Sequence, residues 1–106
     1  MKVRKEIEKL FEEKKRKLGV EAELELSFLE NTPVVGYNVY GEAFPPEKKV
    51  VLEVFAPDAT TEEIEEIICH ELVHLKYPEL DEDSKELEEN VLNCLDSARK
   101  VLRYTK

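Results

Sequence analysis

Apolar residues recur along this chain with two different periods, and each change of period marks an element. Val3, Ile7, Leu10, Phe11 and Leu18 fall on one face of a helix, and Gly19 follows as a plausible C-cap. The charged residues between them read as an ordinary solvated face. From Ala22 the period drops to two. Ala22, Leu24, Leu26 and Phe28 alternate with Glu and Ser, as on a strand with one wet face. Asn31-Thr32-Pro33 signals a turn. Val34, Val35, Tyr37, Val39 and Tyr40 then predict a second strand, ended by Pro45-Pro46. A third covers 50–55, through Val50, Val51, Leu52, Val54 and Phe55, and stops at Pro57.

The helical period returns at Ile64, Ile67, Ile68, Leu72 and Leu75. Thr60 and Glu63 form a capping box ahead of it, and Pro78 ends it, giving a helix over about 60–76. A last helix starts between Asp81 and Ser84, with Asp83 and Glu86 as a possible cap. Its buried stripe is Leu87, Val91, Cys94, Leu95, Ala98 and Leu102. No repeat or long linker interrupts the order helix, three strands, helix, helix. The pattern predicts one α+β domain over 1–106, with helices on one face of a small, mainly antiparallel three-stranded sheet.

Charge narrows the partners. Sixteen basic against twenty-five acidic residues give a net charge of −9, which opposes binding to nucleic-acid phosphates or anionic membranes. No stretch approaches the roughly 18 apolar residues of a membrane span. No basic-then-apolar leader is visible either, so a cytoplasmic location is expected. The abundance of Glu and Lys, with few Gly, resembles a thermophile's composition. Cys69 and Cys94 read as small core residues, with a disulfide between them as the alternative.

The chemistry is concentrated in His70-Glu71-Leu72-Val73-His74, an HExxH string that holds both histidines of the chain. On a helix, residues four apart share a face, so both imidazoles can reach one ion. Zinc accepts such nitrogens with oxygen ligands in tetrahedral sites. Glu71 lies about 100° around the helix from His70, beside the ion, where a general base for an activated water belongs. The alternative is a pair of solvated surface histidines. A catalytic zinc needs a third protein ligand. With no further histidine, the candidates are carboxylates at Glu82, Glu86, Glu88 and Glu89, or the thiolate of Cys94.

HExxH followed by a separate helix that carries a Glu resembles the gluzincin metallopeptidases, the thermolysin-like group. Their glutamate helix often reads Glu-Asn-x-x-Asp, and this chain has Glu89-Asn90-Val91-Leu92-Asn93. The resemblance implies a zincin-like fold with Zn2+ held by His70, His74 and Glu89. It implies Asn93 as the residue orienting His70, in place of the family's Asp, and Glu71 as catalytic base and acid. Glu88 and Glu86 stay open as third ligands, because Glu89 and Asn93 lie opposite the apolar stripe. The short chain is most similar to minigluzincins, minimal soluble forms related to the catalytic domains of integral-membrane metallopeptidases.

That likeness implies a peptide or protein substrate, with an edge strand along the cleft that the order of elements assigns to 50–55, a plain sheet strand there being the alternative. An oxyanion-stabilising hydroxyl would come from Tyr37, Tyr40, Tyr77 or Tyr104. The chain would act as a monomer or homodimer, and as a zymogen if residues 101–106 cover its own or a neighbour's cleft. The rival expectation is a non-enzymatic interaction module in which zinc contributes folding energy.

Overall fold

The computed structural model describes residues 2–29, 39–55 and 60–95. Helix α1 (Lys2–Leu18) leads into strands β1 (Glu23–Leu29), β2 (Val39–Phe44) and β3 (Lys49–Phe55), then helices α2 (Thr61–Lys76) and α3 (Lys85–Cys94). Val34, Val35, Tyr37, Ala98 and Tyr104, and the 101–106 tail with Leu102, lie outside the described residues.

The caps set the boundaries. Gly19 takes a left-handed φ of 67° and donates to the Lys15 carbonyl at 3.0 Å, with Val20 donating to the same oxygen at 3.2 Å. A residue without Cβ accepts this conformation freely. Thr60 Oγ1 accepts from the Glu63 amide at 3.1 Å and starts α2. Ser84 does the same for α3, accepting from the Leu87 amide at 3.1 Å. The N-cap of α3 is therefore Ser84 rather than Asp83. Pro45 and Pro46 open a short 3-10 turn over Pro45–Glu47 that joins β2 to β3.

The sheet has the order β1-β3-β2. β2 pairs antiparallel with β3, but β1 pairs parallel with β3, from Glu23 opposite Lys49 to Leu29 opposite Phe55. The sheet is thus mixed rather than mainly antiparallel. The reason is the placement of β3, whose Val50, Leu52 and Val54 are all buried. A strand this apolar gains most in the centre, and there it runs the same way as β1. β3 is consequently not the edge strand expected at 50–55; β2 takes that place.

Ile7, Phe11, Val50, Leu52, Ile64, Ile68 and Leu72 join α1, the sheet and α2 in the main core. A second cluster packs α3 on α2 through Val73, Leu87, Val91, Leu92, Leu95 and the two cysteines. Cys69 and Cys94 form a disulfide with Cα atoms 5.8 Å apart, which replaces the reading of two separate core thiols. One charged residue also departs from the solvated face of α1. Lys14 is buried and pairs with the buried Glu65 at 2.7 Å. Its place is legible afterwards, because 7, 11, 14 and 18 follow one helical stripe.

Candidate metal centre

α2 places its two histidines on the same side, one turn apart. Ile64, Ile68 and Leu72 hold the helix against the sheet, so the neighbouring row comes to the rim of the core. His70 and His74 are each partly exposed there, with 27% and 18% of their side chains accessible. Their Nε2 atoms stand 3.1 Å apart. Two nitrogens bound to one tetrahedral zinc at about 2.0–2.1 Å would be separated by about 3.3 Å, so the pair converges as one ion requires.

The third member is Glu82, on the connection between α2 and α3. One carboxylate oxygen lies 2.7 Å from His70 Nε2 and the other 2.7 Å from His74 Nε2. Among the described residues, His70, His74 and Glu82 form a group that could hold a metal ion, with ligand atoms within 4.8 Å of one another. Burial works against the Glu82 charge. It is outweighed by hydrogen bonding and positive charge from His70 and then His74, which hold the carboxyl below its usual value.

Glu89 and Asn93 are not brought to this group. Both are exposed on α3, whose buried positions are Leu87, Val91, Leu92 and Cys94. The apolar stripe and the disulfide turn that side of α3 onto α2, and the Glu89 side faces away. Glu86 and Glu88 are also exposed and outside the group. Cys94 is withdrawn as a ligand because its sulfur is bonded to Cys69. Glu82 is one of the carboxylates the sequence offered. Its signal was the short distance in sequence from His74 past the Pro78 stop.

Glu71 is turned the other way around α2, toward β2. It is only 8% exposed, and its carboxylate accepts a hydrogen bond from the Ala43 amide. Burial raises its pKa to about 7, with the Glu82 charge adding to the shift while His70 and the Ala43 amide oppose it. A carboxyl that titrates near neutrality is suited to taking and returning a proton. The approach of β2 to α2 depends on Gly41. A Cβ there would stand 2.4 Å from Ile67 Cγ2 and 3.0 Å from Glu71 Cγ.

An open cleft of about 410 Å³ runs along β2, with Gly41 and Ala43 on one wall and Glu71, His74 and Glu82 on the other. Tyr40 also borders it, and its hydroxyl donates to Glu42 at 2.9 Å. Tyr77 packs against the second cluster instead. Tyr37 and Tyr104 lie outside the described residues. A second depression of about 360 Å³ opens on the α3 side, where His70 and Glu82 meet Leu87 and Val91.

Comparison with known proteins finds no matching family model, no matching curated protein and no matching solved structure. Among the described residues, no helix is long and apolar enough to cross a membrane.

Proposed function

We propose that this chain is a zinc-dependent metallopeptidase of gluzincin type, with His70, His74 and Glu82 holding the ion and Glu71 as general base. The observation that carries this reading is the His70–His74–Glu82 group, two of whose members, His74 and Glu82, line one cleft with the buried Glu71 carboxyl. Two imidazole nitrogens and a carboxylate oxygen are the donor set of a catalytic zinc with an open position. Bound there, zinc supplies Lewis acidity that makes a water nucleophilic near neutral pH and polarises a carbonyl.

The remaining work falls to the protein. Glu71 takes the proton of the attacking water on a carboxylate oxygen and delivers it to the leaving amine. Its burial disfavours the charged carboxylate, and the Ala43 amide fixes the group against β2. β2 borders the cleft as an edge strand. An extended peptide added to such an edge by main-chain hydrogen bonds would pass Glu71 and His74.

The test is Glu71→Gln in the zinc-loaded protein, assayed with a mixed peptide library. Zinc content and fold should be retained while cleavage falls by about 10²-fold or more. Unchanged cleavage by the variant would overturn the reading. A wild type that unfolds on chelation yet cleaves nothing, even when cut after Leu102, would favour the interaction module.

A further inference from the structure

We propose that the Cys69–Cys94 disulfide is a positioning element of the metal centre, acting through Glu82, so that metal affinity follows the redox state of the two cysteines. This rests on the assignment of His70, His74 and Glu82 as the metal group. The three members are not equally well held. His70 and His74 ride on α2, which the main core grips through Ile64, Ile68 and Leu72. Glu82 is carried on an exposed connection between exposed Asp81 and Asp83. Its local backbone ties are two turn bonds, Leu80 to Tyr77 and Ser84 to Asp81, each at 3.1 Å. Its position is therefore governed by where α3 begins, since Ser84 caps that helix just beyond it.

α3 in turn is held by the second apolar cluster, by lysines from α1 on its last carbonyls, and by the disulfide. The bond closes a span of 25 residues that contains Glu82, and its α2 end, Cys69, immediately precedes His70. The cross-link thus fixes α3 to the turn of α2 that carries the first histidine. With it, Glu82 is confined near both imidazoles before an ion arrives. Without it, part of the ordering of the connection must accompany metal binding, and affinity falls by that cost.

Reduction by a dithiol balances simply. Two electrons and two protons convert the disulfide to two thiols, and the reductant leaves as its own disulfide. Both cysteines are fully buried, so attack requires α3 to move off α2.

Zinc affinity of the full chain, measured by competition with a chromophoric chelator, tests the proposal. Relative to the oxidised protein, Cys69→Ala/Cys94→Ala should bind zinc about 10-fold more weakly, the scale on which groups supporting a ligand act. In a Glu82→Ala background the residual affinity should be the same with or without the disulfide, because the effect passes through that side chain. Equal affinity of oxidised wild type and the double-alanine variant overturns the proposal. So does an equal loss in the Glu82→Ala background, which would mark a general structural role. If the double-alanine variant does not fold, the dithiol-reduced wild type, freed of reductant, carries the same comparison. Failure of the oxidised protein to bind zinc at all would instead remove the metal-site assignment, and this proposal with it.

Discussion

Glu82 and Glu89 carry the same carboxylate, yet only Glu82 lies within 2.7 Å of both histidines. The HExxH string is readable because its geometry is local: four residues on a helix fix which side chains converge. The third member of the group is a matter of tertiary structure, decided by how α3 turns on α2. Glu82→Ala should weaken zinc binding by at least about 100-fold, the upper end of what loss of a ligand's supporting partner costs. Glu89→Ala should leave it within about 2-fold. The same chelator competition distinguishes them, and the reverse ranking would reinstate the glutamate-helix motif. Glu71 adds a pH dependence in metal-free protein. Its folded pKa of about 7 lies above the ordinary 4.5, so the folded state holds the proton more tightly than the unfolded chain does. That stabilisation is complete below pH 4.5 and is lost as pH rises through about 7. In chelator, wild type should therefore melt progressively below Glu71→Gln as pH increases across this window. A melting-temperature gap that ignores pH would refute the shift.

At the scale of elements, periodicity placed α1, β1, β3 and α2 close to their observed bounds, because caps and prolines are local signals. The strand read from Val34 to Tyr40 is instead described over Val39–Phe44, and the last helix, read as far as Leu102, is described over Lys85–Cys94. Neighbour relations were harder to see. The near-continuous run Val50-Val51-Leu52, followed by Val54, marks the most apolar of the three strands, and a place between two neighbours removes most of it from water, although Val51 and Glu53 on its other face stay half-buried. Reading it as an edge missed that β2 borders the cleft. Gly41 marks the contact between β2 and α2, and its reason is visible only once Ile67 stands opposite. Gly41→Ala should destabilise the fold by about 1–3 kcal/mol, as overpacking in a filled interface does. Urea denaturation measures this, and a change under about 0.5 kcal/mol would mean that β2 shifts freely.

Across the whole molecule, Lys14 links three helices. From α1 it pairs with Glu65 on α2 at 2.7 Å and donates to the Cys94 carbonyl at the end of α3, also at 2.7 Å. Composition could not disclose this, because a lysine on a charged helix looks solvated until its stripe is traced. Lys14→Met should cost about 3–5 kcal/mol, mostly by leaving the Glu65 charge buried. Adding Glu65→Leu should recover most of that loss, and thermal or urea unfolding of both variants checks the pair. A single substitution as mild as a surface change would show that the pair is hydrated in solution.

The mixed sheet also bears on the order in which the chain assembles. Phe44 and Lys49 pair across one short turn, whereas Glu23 must find Lys49 after 26 intervening steps of chain. Closing the longer loop costs about 1.5 kcal/mol more in chain entropy. The β2–β3 hairpin is thus the favoured nucleus, and β1 is the late arrival. Until it docks, one side of β3 is an unpaired template for other chains. Glu53, on β3 itself, is a charge that discourages such mispairing.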